Sequence, residues 1–569
     1  MSREPDTALS AGPLVSTEIA FDTGSLAAGA RVVAFWSLAS RLTGFLRVAA
    51  LAAVLGPTFF GNLFQTALYV PYVISELLAA SLIPPLLAPR LVRFFDADDR
   101  PAALRVARGL LGAALPLFAG VALLAAIAAP ALLLALTVAV DDPEVREKQI
   151  SLGWPLLVVL LPQVVLYAVI STAVAVQHAH RRFALPTAAQ IIENIGLVIV
   201  LVASALVYGF GADVDAVTLP HVLAIGLGST LVVGLHAAVQ WWGAARLGFR
   251  LFPTAGWRSA EVRSILRSAL PATGAAGLGG FGWLAMLVAS GQIPGGAVAL
   301  QNAQSLYNLP VALFARPLAV AQLPLLSSRA GTAPDAAFRS TFQQSLRLTL
   351  FVTLPASFAF LGMPEILAGA VSFGEMATPG AITLISTVLL GLGVGLIGEA
   401  ILIVASSAAY ARLDASSQFL AALIRMGVLS VGIWVALRAP AGLELLFIGL
   451  AYSLGTFAAA TYLGRRLRMP GAPSRLRAWT RWLSVNVPIA AEAVAPAVLL
   501  AQLVVASNAA YGSRVLAAVA LVVPSVALYL LLQRATGSSE LRTLFRLGSA
   551  SPVVVQGDAD APVTKRDRP

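Results

Sequence analysis

Long apolar runs succeed one another along nearly the whole chain, each broken by a short polar stretch. Within a run the apolar positions are continuous, not alternating. About 20 apolar residues span a bilayer as a helix, whereas a barrel strand needs only ~10 with every second one apolar. Lipid offers no hydrogen bonds, so a spanning backbone must pair within a helix or a closed barrel. The pattern predicts an all-α polytopic membrane protein with about fourteen transmembrane helices. They fall near 30–55, 59–91, 105–130, 149–177, 186–209, 218–243, 266–291, 296–328, 341–363, 380–410, 416–437, 442–464, 482–506 and 513–533. The third boundary is the least sharp, because Ala129-Pro130 opens a further apolar run to Val140.

The polar interruptions carry the charge. Arg90, Arg93, Arg100, Arg105 and Arg108 follow span two, and Arg181 and Arg182 follow span four. Arg246, Arg250, Arg258, Arg263 and Arg267 follow span six, and Arg465, Arg466, Arg468, Arg475, Arg477 and Arg481 follow span twelve. The alternate loops hold Asp141, Asp142, Glu144 and Glu147 after span three, and Asp213 and Asp215 after span five. Cytoplasmic loops carry the arginine excess. Even-numbered spans are therefore expected to end inside, with both termini in the cytoplasm of a bacterial inner (plasma) membrane.

Composition agrees. Hydrophobic residues make up 58% and charged residues 11%, against roughly 25% charged in a soluble domain. The net charge of +11 is then a topology signal and no nucleic-acid surface. There is no cysteine, which excludes disulfides, thiolate metal sites and cysteine nucleophiles. Residues 1–29 are polar and lack the pattern of a cleavable signal peptide. Residues 535–569 read as a disordered cytoplasmic tail.

The chain repeats itself. Span two contains Pro71 and ends Pro85-Leu-Leu-Ala-Pro-Arg90; span eight contains Pro310 and ends Pro324-Leu-Leu-Ser-Ser-Arg329. The offset is 239 residues at each matched position. Coincidence among common Leu, Pro and Arg residues is the bland explanation. A true repeat divides the chain into an N-lobe (30–243), an Arg-rich cytoplasmic linker (244–265) and a C-lobe (266–464), followed by two extra helices within 482–533. The two six-helix lobes would be related by a pseudo-twofold axis along the membrane normal, with the substrate path between them.

An ionisable group inside a span is costly and is a candidate by default. Arg41 and Arg47 lie in span one, in Ser40-Arg-Leu-Thr-Gly-Phe-Leu-Arg47, about 9 Å apart along the helix axis at 1.5 Å per residue. Two guanidiniums on a cavity would suit a diphosphate; alternatively they snorkel or pair with Glu76. Glu76 in span two is either that ion partner or a proton or cation carrier. Glu193, Glu399 and Glu492 also lie inside spans, and Glu399 follows Gly395-Leu-Ile-Gly398, which suits a close helix contact. Arg316, followed by Pro317, marks a kink or a cavity contact in span eight. Asn194 and the run Gln301-Asn302-Ala-Gln304-Ser305 either line a wet cavity or bond between helices. His178, His180, His221 and His236 have no metal-ligand spacing, and no nucleotide loop of the Walker type is present. No cofactor is expected, and the short outer loops leave little room for an enzyme's catalytic domain.

The strings Ser40-Arg41-Leu-Thr-Gly44-Phe45-Leu-Arg47, Leu55-Gly56, Val70-Pro71, Arg182-Phe183-Ala-Leu-Pro186 with Asn194, Leu309-Pro310, Leu323-Pro324-Leu-Leu-Ser327 and Val394-Gly-Leu-Ile-Gly398, with Tyr410, Arg412 and Asp414, resemble one family. It is the MurJ (MviN) lipid II flippases, within the multidrug/oligosaccharidyl-lipid/polysaccharide exporter superfamily. The resemblance covers roughly 30–535. It implies fourteen spans, both ends inside, and alternating access around a cationic cavity that carries an undecaprenyl-diphosphate-linked saccharide. It also implies contact with membrane lipids and possible cell-wall synthesis proteins. Arg41 and Arg47 match two of the family's cavity arginines. The chain departs from the pattern elsewhere: Asn62 stands at a usually acidic position, Ser75 and Glu76 replace an arginine pair, Ser305 replaces an arginine, and Ile403 falls near a basic one. Two other readings stay open: a non-transporting paralogue that scaffolds cell-wall synthesis, and a cation-coupled exporter of another amphiphile using Glu76 or Glu193.

Overall fold

The computed structural model describes residues 23–80, 83–256, 259–331, 335–412, 414–467, 474–504 and 510–549. These residues form helices and no strands. In chain order they are α1 (Thr23–Leu55), α2 (Phe59–Ser75), α3 (Ile83–Asp96), α4 (Arg100–Ile127), α5 (Ala129–Leu136), α6 (Pro143–Leu160), α7 (Gln163–Ala179), α8 (Ala184–Tyr208), α9 (Leu219–Arg246) and α10 (Ala260–Ser290). There follow α11 (Gly296–Pro310), α12 (Arg316–Gly331), α13 (Asp335–Gly362), α14 (Pro364–Val371), α15 (Pro379–Ala411), α16 (Ala415–Ala436), α17 (Glu444–Arg466), α18 (Ser474–Val504), α19 (Tyr511–Ala535) and α20 (Ser539–Ser549). Among the described residues, 13 helical stretches are long and apolar enough to cross a membrane. The remaining expected span falls on α10, whose apolar part Gly277–Ser290 is shorter.

Several expected spans prove to be broken helices, and the breaks sit at prolines. The third apolar run divides into α4 and α5 at Ala128, with Pro130 in the first turn of α5. Span four divides into α6 and α7 around Leu161-Pro162. In span two, α2 passes through a π-helical segment, Glu76–Ala80, before α3; in span eight, α11 passes through another, Val311–Ala315, before α12. Proline has no N–H to give to the helical ladder, and a π-turn is one way for the ladder to re-register. The paired prolines Pro71 and Pro310 therefore accompany paired distortions.

One apolar core runs from Leu51 in α1 to Ala451 in α17, and so includes residues of both the first half of the chain (α1–α9) and the second (α10–α17). Small residues set the closest approach. Gly391, Gly395 and Gly398 of α15 face α17, where Ser453 Oγ donates to the Gly391 carbonyl at 2.7 Å. A Cβ at Gly391 would lie 2.6 Å from the Leu446 carbonyl oxygen and 2.9 Å from Gly449 Cα. Lipid supplies no hydrophobic drive between helices, so such backbone-to-backbone packing is what holds them together. Helices α18 and α19 pack outside this core, against α13 and α14. Between α15 and α16, Asp414 caps α16 by accepting from Ser417 N and Ser416 Oγ, and hydrogen bonding from the Ser417 side chain and backbone, then from Ser416, lowers its carboxyl from the ordinary value.

The chain ends differ from expectation where they are described. α1 begins at Thr23, inside the segment read as polar and non-spanning; residues 1–22 lie outside the described residues. α20 is helical where a disordered tail was expected; the rest of that tail, 550–569, lies outside the described residues. The cause is a tertiary bond. Trp482 Nε1 donates to Glu540 Oε1 at 2.8 Å, and the Ser539 hydroxyl donates to Glu540 Oε2 at 2.9 Å. A buried indole N–H needs such an acceptor.

Replacing Gly391 with leucine is expected to destabilise the protein by about 1–3 kcal/mol, the usual cost of overpacking. Thermal unfolding of the detergent-purified protein checks this. Gly120→Leu, where a Cβ meets nothing within 4 Å, is expected to leave the midpoint unchanged.

Candidate functional site

The charged and polar residues that span-forming helices would otherwise exclude converge between the two halves. A cavity of about 470 Å³ is walled on one side by α1, α2, α7, α8 and α9 through Arg47, Gln65, Tyr69, Tyr72, Gln163, Tyr167, Glu193 and Val233. On the other side α10, α11, α12, α15 and α17 supply Trp283, Gln301, Gln304, Asn308, Arg316, Glu399 and Tyr452. An adjoining cavity of about 560 Å³ lies within the second half and reaches Tyr410, Gln418 and Arg425. The two share Trp283, Arg316, Glu399 and Tyr452. Across the first cavity Gln65 Nε2 donates to Gln301 Oε1 at 3.3 Å, a direct polar contact between the halves.

The residues singled out from the sequence separate into two groups. Arg47, Glu193, Gln301, Gln304, Arg316 and Glu399 line the cavity. Arg41, Asn62, Glu76, Asn194 and Ser305 are not on its wall. Arg41, one and two-thirds turns before Arg47, is exposed and donates from Nη1 to the Ala312 carbonyl at 2.8 Å. That carbonyl belongs to the π-helical segment of span eight, so Arg41 ties α1 to the distorted part of the other half. Asn194 Nδ2 donates to the Ser40 carbonyl and to Thr43 Oγ1, both at 3.1 Å, and so joins α8 to α1. Ser305 Oγ donates within its own helix to the Gln301 carbonyl at 2.9 Å. Glu76 opens the π-helical segment of span two, is half-buried, and is not on the wall of either cavity.

Asn62 is 2% exposed and works as a clamp between the halves. Its Nδ2 donates to the Ile293 carbonyl at 2.6 Å, and its Oδ1 accepts from Ala297 N at 2.9 Å. Beside it, Gly295 N donates to the Thr58 carbonyl at 3.1 Å. Asp213 Oδ1 caps α2 by accepting from Phe59 N at 2.9 Å. The bonds of Asn62 and Gly295 join the two halves at the end that carries the acidic loops.

The family model for the lipid II flippase MurJ matches residues 51–520. The chain belongs to the MurJ family. A probable lipid II flippase MurJ of Rhizobium meliloti is 24% identical over 365 residues, which cover 63% of this chain and 66% of that protein. The lipid II flippase MurJ of Burkholderia cenocepacia is 23% identical over 458 residues, 78% of this chain and 84% of that one. Among solved structures, a lipid II flippase MurJ in an inward closed conformation superposes with a TM-score of 0.68 at 15% identity, over 90% of this chain and 99% of its own. An inward-facing multidrug transporter of the MATE family superposes with a TM-score of 0.59 over 75% and 94%. The fold is thus that of MurJ and its superfamily, and the protein is a multi-pass protein of the bacterial inner membrane.

The most consequential residue that sequence reading passes over in this MurJ-family chain is Arg425 of α16. Its guanidinium lies 3.4 Å from Glu399 Oε2 and 4.6 Å from the centre of the Tyr452 ring. A lone arginine inside an apolar run is a signal in itself, by the same rule that picks out Arg316. His236 is the other. It stands alone in sequence, yet its Nδ1 lies 2.9 Å from Glu193 Oε2. The cavities therefore hold three arginines (47, 316 and 425) and two glutamates (193 and 399), and each glutamate has a partner.

Glu399→Gln and Arg425→Met are each expected to destabilise more than the double substitution, because a single change strands a half-buried charge. A double-mutant cycle on unfolding free energy is expected to show coupling of about 1–3 kcal/mol.

Proposed function

We propose that this chain is a flippase for lipid II or a close polyprenyl-diphosphate-linked relative, and that it works by alternating access. Family membership over 51–520 together with Arg47 and Arg316 facing each other's halves across one cavity carries the reading. A diphosphate headed across hydrocarbon loses its water, and the cost of an unpaired charge there is prohibitive. Guanidiniums on a wet wall replace that water. Arginine suits the task because its fork of donors matches phosphate oxygens. The Gln, Tyr and Trp side chains around them suit the hydroxyls and faces of a saccharide, while the polyprenyl tail stays in the bilayer.

Charge in this cavity is arranged differently from the family pattern. The positions near 75, 76, 305 and 403 carry no arginine. Arg316 and Arg425 restore cationic charge from the second half, and Glu399 moderates it. Moderation has a use: a carrier that holds its cargo too tightly cannot release it. The bonds of Asn62 to Ile293 and Ala297 join the halves at the acidic-loop end and must yield when that end opens. In this reading the Arg-rich loops and both termini face the cytoplasm.

The test is flipping of lipid II by the purified protein in liposomes, paired with growth rescue of a host depleted of its own flippase. Arg47→Ala with Arg316→Ala is expected to lower flipping at least tenfold, since each charged hydrogen bond contributes about 1.5–3 kcal/mol and 1.4 kcal/mol is about tenfold. Arg41→Ala, whose guanidinium serves the Ala312 carbonyl, is expected to cost less than about threefold on the same measure. Wild-type flipping by the Arg47/Arg316 double variant refutes the assignment of the cargo site.

A further inference from the structure

A polar chain runs from the cavity wall into the first half. Tyr167 Oη donates to Glu193 Oε1 at 2.7 Å, and His236 Nδ1 meets Glu193 Oε2 at 2.9 Å. Gln240 Nε2 lies 3.2 Å from His236 Nε2, and Gln177 Nε2 donates to Gln240 Oε1 at 2.8 Å. Glu193 is 8% exposed and His236 2%. Each link fixes the next. Gln177 holds the Gln240 oxygen, so the Gln240 amide N–H points at His236 Nε2. That nitrogen must accept, and the ring proton then sits on Nδ1, facing the carboxylate. A pair holding that single ring proton, with the carboxylate accepting from both sides, has a net charge of minus one.

We propose that the Glu193–His236 pair is a proton-binding site, and that its occupancy is linked to anion binding in the central cavity through Arg47. Tyr167 and Glu193 line the cavity with Arg47, so water in the cavity reaches the carboxylate. The titratable groups that act on the pair are Arg47 from α1, Tyr72 from α2 and Tyr167 from α7. Helix α6, also packed on α9, carries its charges in its first two turns, where Lys148 pairs with Asp215. One proton from the cavity brings the pair to zero net charge; it belongs to the pair and not to either residue. Arg47 then has no negative neighbour in the pair and its charge is available to a diphosphate. Linkage makes the effect reciprocal: a bound anion favours the proton as much as the proton favours the anion.

The occupant is a proton and not a hard metal ion. Such ions need a cage of oxygen acceptors, and both Glu193 oxygens already accept from donors. Among the described residues no group of three or more His, Asp or Glu side chains is placed to hold a metal.

The inference rests on the proposed anionic cargo, and two probes keep the two ideas apart. Binding of lipid II and of inorganic diphosphate to the full-length protein in nanodiscs is measured by calorimetry in buffers of different ionisation heat. Wild type is expected to take up close to one proton per anion bound, with affinity rising about tenfold per unit fall in pH across the titration of the pair. Glu193→Gln keeps the shape of the carboxylate and is expected to bind without proton uptake and with a flat pH profile. Nitrogen-labelled histidine spectra, simple to assign with 4 histidines, are expected to show His236 as the Nδ1–H tautomer and to lose its titration in Glu193→Gln. Tyr167→Phe, which leaves both titrating groups in place, is expected to shift that titration without abolishing it. Proton uptake that survives Glu193→Gln overturns the proposal, as does anion binding with no proton uptake in wild type. Diphosphate binding with proton uptake but no lipid II binding upholds the proton site and overturns the cargo. Binding of neither anion overturns both.

Discussion

A charge inside a helical bundle in lipid must be answered by another group of the protein, because the solvent cannot answer it. The rest of this structure follows from that constraint. Arg425 sits on Glu399 and the Tyr452 ring, His236 on Glu193, Arg41 on a carbonyl that a π-turn turns outward, and Asn62 on the turn between α10 and α11. Arg47 and Arg316 line the shared cavity, as do Glu193 and Glu399, with Arg425 on the adjoining one. Groups that are fully answered hold helices together; groups left facing a wet space are the ones a cargo can use.

Helix irregularity serves the same end. Each π-helical segment follows a proline-bearing helix, α2 with Pro71 or α11 with Pro310. A distorted ladder leaves carbonyls able to accept from elsewhere, and Ala312 does so from Arg41. Regular, small-residue packing between α15 and α17 sets the opposite pole: a rigid pair on which Glu399 is carried to the cavity wall one residue after Gly398. Rigid elements that bear charge, joined by elements that bend, are what alternating exposure of one cavity demands.

The closures differ in kind between the two parts of the molecule. At the acidic-loop end the halves meet through backbone atoms and the buried side chain of Asn62. Elsewhere they meet through longer side chains: Arg90 donates to the Glu261 carbonyl at 3.3 Å and to Ser264 Oγ at 3.2 Å. Short bonds to buried backbone are costly to leave unmade, whereas an exposed arginine exchanges its partner for water at little cost.

The sequence by itself determined the class of protein, nearly all of the apolar helices, the uncertain boundary at Ala129-Pro130, the paired strings of spans two and eight, and the family. It also marked Arg47 and Arg316, since a charge in an apolar run is visible without knowing the fold. Hydrophobic length and proline position are properties of one helix, summed residue by residue along the chain. Partnership is not. Glu193 and His236 are 43 residues apart, Glu399 and Arg425 26, and Asn62 and Ile293 231. Whether two such side chains meet depends on the face each helix turns to its neighbour, and successive residues on a helix differ by about 100° in direction. Only the packing of many helices at once sets that rotation. Arg41 shows the consequence. It lies in the same string as Arg47, yet the turn of α1 against span eight gives it a backbone carbonyl and leaves the cavity to its neighbour.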